Sequence, residues 1–179
     1  MRKKTLRDHK GITLVEIIIV IAILGILAST VVGMLGHLHY ADTQKVVKTL
    51  DTSLDALQVK TMSKTGQFYM YVYKSGGNYY VRTLQKDLDI FDSSVLNTDG
   101  TRLCNDTISI WKVSWKVSAA GKKTEEKTEV KDMTYIKIAY TKSALFDTTN
   151  TNTDKIYIDG VPDYTLTLVK DTGKHFVSQ

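Results

Sequence analysis

The chain has 179 residues, a length that predicts one folded domain with an appendage rather than two full domains. Its formal net charge is +5, but five basic residues and only one acid lie within the first eleven positions. The remainder is therefore close to neutral, which argues against a surface for phosphates, and we expect no direct nucleic-acid partner. The single cysteine, Cys104, excludes an intramolecular disulfide.

An apolar segment, residues 12–35, follows the basic N-terminus with Glu16 as its one charge. As a helix it would extend about 36 Å, enough to cross a bilayer, and the preceding basic residues predict a cytoplasmic N-terminus. A signal peptide cut near Ser29 and an uncut anchor are alternatives. Neither explains Glu16, since a carboxylate costs about 2.5–3.5 kcal/mol at the centre of a membrane helix.

The segment KGITLVE, residues 10–16, resembles the processing site of type IV prepilins and pseudopilins. The family pattern joins a short basic leader ending in glycine to a hydrophobic first mature residue, a glutamate at the fifth position and an apolar helix. The resemblance implies that residues 1–11 are a cytoplasmic leader, removed by a prepilin peptidase after Gly11. It also implies N-methylation of Ile12, which stands where the family most often has phenylalanine.

The same resemblance implies a use for the buried charge. Glu16 of one subunit would meet the Ile12 ammonium of its neighbour, and a slip by one residue would leave both charges unpaired in a medium of low dielectric constant. Many major pilins carry a proline in the second half of this helix, which is absent here. Gly33 lies about where it would fall and, with Gly25, predicts flexibility in a filament; close helix packing is the alternative.

After residue 35 the chain becomes polar but keeps a helical period. Apolar residues recur three and four apart, at Leu38, Val46, Val47, Leu50, Leu54, Leu57 and Met62. Lys64-Thr65-Gly66 is a helix-stop signal. The pattern predicts an amphipathic continuation over residues 36–65, so that one helix runs from near Ile12 to near Lys64 and packs its second half against a sheet.

From residue 66 the apolar period changes to two. Residues 67–74 and 79–84 predict a hairpin, and further strands are predicted at 107–118, 134–141, 155–158 and 164–170, with the charged segment 119–130 as a solvated hairpin end. Residues 66–179 thus predict an extracytoplasmic β-rich domain. The whole chain predicts an α+β, pilin-like fold, a long N-terminal helix packed on an antiparallel β-sheet.

Two features of this domain suggest ligands. The tyrosines between Tyr69 and Tyr80 are predicted to form an exposed or intersubunit face of the sheet, a binding face being the alternative. Asn150, Asn152 and Asp154 alternate like calcium ligands, and some secretion pseudopilins bind calcium in their C-terminal region. Because no bidentate glutamate follows them, a polar surface loop is the favoured interpretation.

No catalytic sequence motif and no Cys/His cluster occurs, so we expect no enzymatic activity. Cys104 is predicted to be a buried small hydrophobe, a free thiol being the alternative.

The resemblance implies a structural subunit of a type IV pilus, polymerised through its N-terminal helix into a surface filament for adhesion, motility or contact. Its partners would be copies of itself, the prepilin peptidase, the pilus assembly platform and minor pilins. The precursor would cross the inner (cytoplasmic) membrane once, and the mature subunit would lie at the cell surface. The alternatives are a pseudopilin of a type II secretion or competence DNA-uptake system, and an uncut membrane-anchored binding domain.

Overall fold

One long helix precedes all the strands in the computed structural model, which describes residues 13–118 and 121–179. The helix, α1, spans Leu14–Ser63, close to its predicted bounds. Contacts between residues divide the chain into two units, Met1–Leu38 and His39–Gln179, so that α1 contributes to both. Within the described residues no helix has an apolar stretch long enough to cross a membrane. The predicted leader, residues 1–11, and the first residue of the predicted segment 12–35 lie outside the described residues.

Two antiparallel sheets follow the helix. Their strands are β1 (Tyr69–Ser75), β2 (Asn78–Leu84), β3 (Thr101–Asn105), β4 (Ser109–Val117), β5 (Lys123–Glu129), β6 (Tyr135–Ala139), β7 (Lys155–Asp159), β8 (Tyr164–Val169) and β9 (Lys174–Ser178). The first sheet has the strand order β3-β2-β1-β6, and the second has the order β5-β4-β7-β8-β9. The predicted α+β class is confirmed, with two sheets where the sequence indicated one.

The predicted hairpin of residues 67–84 is confirmed as β1 and β2. Val72 lies opposite Val81 in its register, and Ser75 opposite Asn78 closes the turn. Gly76 and Gly77 in that turn have φ angles of 56° and 76°, a conformation that glycine adopts without the steric cost of a Cβ atom. The strands predicted at 107–118, 134–141, 155–158 and 164–170 correspond to β4, β6, β7 and β8.

The charged segment 119–130 differs from its prediction as a solvated hairpin end. Most of it is β5, which pairs along its length with β4, from Trp111 opposite Glu129 to Val117 opposite Lys123. The strand is polar and largely exposed, so it has no buried face and no alternating apolar pattern. Backbone hydrogen bonds to β4 hold it instead, and these leave no signature in hydrophobic periodicity.

A single hydrophobic cluster joins the second half of α1 to both sheets. Val46, Val47, Leu50, Leu54 and Leu57 are between 0% and 8% exposed, as the predicted apolar stripe requires. The strands contribute apolar side chains that include Met70, Val72, Ile110, Ile136, Ile138, Ile156, Ile158 and Leu166. This cluster is the core that fixes the strands relative to residues 46–57 of the helix.

The prediction that Met62 belongs to the buried apolar stripe is wrong. Its side chain is 54% exposed, whereas the neighbouring Thr61 is completely buried. Thr61 lies one helical turn beyond Leu57 on the buried face, so the stripe continues through a threonine rather than through the methionine.

The tyrosine prediction is also wrong, because these rings are covered by the chain itself. Tyr71, Tyr73 and Tyr79 are 0% exposed, and Tyr69 and Tyr80 are at most 9% exposed. A second cluster packs four of them, Tyr79 excepted, against Leu88 and Leu96 of the segment between β2 and β3. The segment therefore acts as a cover for the outer face of the first sheet.

Hydrogen bonds from the tyrosines hold that cover in place. The Tyr71 hydroxyl accepts from the Leu88 backbone N–H at 2.9 Å and lies 3.2 Å from a carboxylate oxygen of Asp87. The Tyr73 hydroxyl donates to the Asn97 carbonyl at 2.6 Å. Burial raises the pKa of Tyr71 above its ordinary range, so this hydroxyl keeps its proton and remains able to donate.

Candidate functional site

Helix α1 begins with a reciprocal pair of side-chain caps. The Thr13 carbonyl accepts the first helical bond from the Ile17 N–H at 3.2 Å. The Thr13 hydroxyl oxygen accepts from the Glu16 N–H at 3.3 Å, and Glu16 Oε2 accepts from the Thr13 N–H at 3.4 Å. This arrangement is a capping box, which satisfies two backbone donors that a helix start would otherwise leave unbonded.

The capping box gives Glu16 a use within its own chain. Its carboxylate lies in the first turn of the helix, where the helix dipole also favours negative charge. Sequence reasoning placed Glu16 correctly but did not identify Thr13 as its partner, although the spacing Thr-x-x-Glu was visible. The carboxylate has about four acceptor positions, so capping leaves capacity for a second cationic or N–H partner.

The apolar side chains of the first part of α1 are exposed. Leu14, Val15, Ile17, Ile18, Ile19, Val20, Ile21, Ile23, Leu24 and Ile26 have exposed fractions between 49% and 75%. Because they follow one another along the helix, they cover every side of it. An apolar surface of this kind is normally covered by another molecule.

A groove on this surface adjoins the capping residue. Glu16, Ile17, Val20 and Ile21 line it, with a volume of about 320 Å³. The groove places one carboxylate beside apolar side chains one turn further along. A partner that fills it would therefore combine apolar groups with a positive charge or an N–H donor.

The other predicted residues of this segment are only partly described. Gly11 and Ile12, the predicted processing site, lie outside the described residues. Gly25 and Gly33 both lie within the continuous helix α1. Among the described residues nothing stands within 4 Å of the position that a Cβ on Gly25 would occupy, so they give no packing reason for glycine there. Flexibility at these glycines in a filament stays a prediction.

Each of the three calcium candidates already bonds to other residues of the chain. The Asn150 amide donates to Asp147 Oδ2 at 2.8 Å, and Asn152 Oδ1 accepts from the Lys137 N–H at 2.9 Å. Asp154 Oδ1 lies 2.6 Å from Lys170 Nζ, and its Oδ2 accepts from the Trp115 N–H at 2.8 Å. The contacts of Asn152 and Asp154 attach the loop before β7 to neighbouring segments, whereas the Asn150 contact lies within the loop. Calcium binding at these residues stays a prediction.

Cys104 is buried in β3, which confirms its prediction as a small buried hydrophobe. Its side chain belongs to the main hydrophobic cluster and the residue is 8% exposed. Burial raises the pKa of the thiol to about 12, which keeps it protonated near neutrality. A protonated buried thiol is a poor nucleophile.

Comparison with known proteins places the N-terminal segment in a defined family pattern. A protein-family model described as "Prokaryotic N-terminal methylation motif" matches residues 6–32. This range contains the predicted cleavage site, the capping box and the exposed apolar helix surface. No solved structure was found to match the chain.

Two curated relatives extend the similarity into the β-rich region. Type II secretion system core protein G of Klebsiella pneumoniae is 30% identical in an alignment of 145 residues that covers 62% of this chain and the whole of the relative. The protein of the same name from Vibrio cholerae serotype O1 is 34% identical in an alignment of 105 residues that covers 47% of this chain and 68% of the relative. The chain belongs to the core protein G family of pseudopilins.

Membership of the core protein G family confirms the predicted pilin-like class. The sequence left open whether the chain is a type IV pilin or a pseudopilin, and both relatives match the pseudopilin alternative. The type IV pilin interpretation names the same wider family but is less specific. The N-terminal methylation motif matched at residues 6–32 is typical of a membrane-anchored precursor.

Proposed function

We propose that this chain is a structural, non-catalytic pseudopilin subunit of a type II secretion apparatus, which polymerises through its N-terminal helix. The observation that supports this most strongly is the apolar surface between Leu14 and Ile26, whose side chains are about half exposed or more. Exposed to water, such a surface would cost about 25 cal/mol for each Å², so it has to be covered by lipid or by other helices. Subunits that leave the bilayer gain from close packing between helices, because lipid tails are as apolar as these side chains. A filament of parallel helices would bury it on every side.

Processing prepares the helix for this assembly. Cleavage after Gly11 by a prepilin peptidase makes Ile12 the first residue, with a cationic α-amino group that the same enzyme class methylates. Glu16 is then the fifth residue and lies one turn from that amine. Its carboxylate caps Thr13 within the subunit and pairs with the Ile12 amine of the next subunit.

This shared use of one carboxylate specifies the axial register of the filament. An ion pair in a low-dielectric helix bundle adds little net stability, but any axial slip leaves two buried charges without partners. The precursor would cross the inner membrane once with its N-terminus inside, and residues 66–179 would lie outside the cytoplasm. Other partners would be the assembly platform and minor pseudopilins.

A pair of substitutions at Glu16 separates the charge from the cap. Glutamine occupies the same position in capping boxes, so Glu16→Gln keeps the cap and removes the charge, whereas Glu16→Ala removes both. We expect both variants to insert in the membrane and to lose most assembly. The measurement is the amount of sheared or cross-linked filament in a host with a functional secretion system.

Asp42→Asn is the matched control, because Asp42 is an exposed acid on the same helix beyond the apolar segment. It should assemble like the unchanged chain. If Glu16→Gln assembled normally while Glu16→Ala did not, the cap alone would explain the residue and the intersubunit pair would be wrong.

Mass spectrometry of the N-terminal peptide should find Ile12 first, with one added methyl group; a chain that still began at Met1 would contradict the processing step.

A further inference from the structure

Three side chains from the helix and the last strand meet on the surface of the second unit. His175 Nε2 lies 3.2 Å from Asp51 Oδ1 and 3.6 Å from Asp55 Oδ1. One ligand atom from each residue, a histidine ring nitrogen and two carboxylate oxygens, lies within 4.8 Å of the other two. They line a cavity of about 470 Å³ that is open to solvent.

The fold brings the three together from two elements, α1 and β9. Asp51 and Asp55 are four residues apart in α1, so their side chains lie on one face of the helix. Gln58, on the following turn, donates to the carbonyls of Ala144 at 2.9 Å and Gly173 at 3.2 Å. The bond to Gly173 attaches the backbone just before β9 to the helix, close to where His175 lies opposite the two carboxylates.

Gly173 allows the turn before β9 to lie against the backbone of Ala144. Its φ angle is 67°, and a Cβ there would lie 1.8 Å from the Ala144 carbonyl oxygen, where no atom fits. A larger residue would push this turn away from the Ala144–Leu145 backbone. The glycine therefore lets the chain enter β9 close to that segment.

The His175 ring is buried, and its second nitrogen, Nδ1, contacts a tyrosine hydroxyl. Its side chain is 8% exposed, against 45% for Asp51 and 67% for Asp55. Nδ1 lies 3.4 Å from the hydroxyl of Tyr140, which is itself completely buried and stacked on Phe146 at 4.3 Å. Histidines that bind metal ions usually have their second nitrogen oriented in this way by a hydrogen bond.

The distances match those of a tetrahedral metal site. Bonds of about 2.1 Å from zinc to nitrogen and oxygen place neighbouring ligand atoms about 3.4 Å apart in a tetrahedron. The two distances from His175 Nε2, 3.2 and 3.6 Å, lie on either side of this value. One imidazole with two carboxylates is a donor set that suits Zn²⁺ and similar first-row divalent ions.

We propose that Asp51, Asp55 and His175 bind a Zn²⁺-type divalent ion, with water completing the tetrahedron. The ion would join α1 to β9, the edge strand of the second sheet, and stabilise the folded state in proportion to its occupancy. Lys174 lines the same cavity, and its positive charge opposes the cation. The proposal does not depend on the role in secretion.

The test is calorimetric titration of the full-length chain, stripped of metal in detergent, with ZnCl₂. We expect one Zn²⁺ per chain and a higher Tm in its presence. Asp55→Asn should weaken binding at least tenfold while leaving the Tm of the metal-free chain nearly unchanged, because Asp55 is mostly exposed. Asp42→Asn is the control and should bind like the unchanged chain.

Two further measurements sharpen the result. Lys174→Gln should strengthen binding a few-fold, because it removes the opposing charge. Calcium should not compete, since Ca²⁺ prefers six to eight oxygen ligands. The proposal is overturned if Zn²⁺ does not bind, if Asp51→Asn and Asp55→Asn bind it as well as the unchanged chain, or if calcium displaces it. In those cases the approach of His175 to Asp51 and Asp55 is a polar contact between α1 and β9 and not a set of metal ligands.

Discussion

The two parts of helix α1 use similar apolar residues for opposite purposes. In the first part Ile21 is 63% exposed, and in the second part Leu54 is completely buried. Both positions are helical and both side chains are branched and aliphatic. The difference lies in what surrounds them, because residues 46–57 meet two sheets of their own chain whereas the surface from Leu14 to Ile26 remains accessible.

This comparison separates folding from assembly along one element. A side chain that packs within its own chain contributes to the free energy of unfolding of a single subunit. A side chain that is exposed in the single chain can contribute only when a second molecule covers it. Substitutions in the two parts should therefore change different measurements.

The largest expected effect on stability is at Leu54. Leu54→Ala removes a fully buried side chain from the main cluster and should lower the free energy of unfolding by about 2–5 kcal/mol. Ile21→Ala is the matched control; it should leave that free energy within about 0.5 kcal/mol and reduce filament assembly instead. Urea titration of the full-length chain in detergent measures the free energy of unfolding of both variants. The amount of sheared or cross-linked filament measures their assembly. Equal destabilisation by the two variants would remove the distinction between the two parts of the helix.

A smaller effect is expected where the tyrosines hold the cover of the first sheet. Tyr71→Phe removes the oxygen that accepts from the Leu88 N–H and leaves that buried donor unbonded. We expect a loss of about 1–3 kcal/mol in the free energy of unfolding, with faster hydrogen exchange in residues 85–100.

Tyr157→Phe is the control for this substitution, because its hydroxyl donates to Asp163 in an exposed position. It should change hydrogen exchange in residues 85–100 very little. Unchanged exchange in that segment for Tyr71→Phe would mean that the apolar contacts of Leu88 and Leu96 hold the cover without the hydroxyl.

The effect that is smallest near neutrality concerns Cys104, and it appears only as the pH rises. Because burial raises the thiol pKa to about 12 in the folded chain, the neutral thiol contributes stability that is present below the ordinary pKa near 9. That contribution is lost as the pH rises from about 9 to about 12. At pH 8 we expect iodoacetamide to label the folded chain at least roughly a hundredfold more slowly than the chain in urea.

Leu54→Ala should speed this labelling, since it makes opening of the core more frequent. Ile21→Ala should leave the labelling rate unchanged, which gives the comparison of the two helix parts a second, independent readout. Rapid labelling of the unchanged chain at pH 8 would show that β3 opens without the rest of the core.

The start of α1, with Glu16 and the apolar residues after it, could be predicted from the sequence because its pattern is local. Glu16, its offset from Gly11 and the apolar residues after it lie within one short window, and Thr13 stands within the same window although its role was missed. The helix end near Lys64 was predicted for the same reason: basic residues and a glycine follow the last buried turn. The strands of the first hairpin were predicted from their alternation and from the two glycines between them.

The rest depends on which distant segments meet. A tyrosine in a strand has the same local pattern whether it faces water or the segment 85–100, so only tertiary packing decided that Tyr71 is buried. β5 has no apolar face, and its pairing with β4 is a backbone interaction that side-chain periodicity does not record. Asp51, Asp55 and His175 lie far apart in the chain, and the path of β9 brings them together. The sequence by itself determined the helix and its processing motif, because both are local; the tertiary structure decided which polar groups meet, because long-range packing sets those distances.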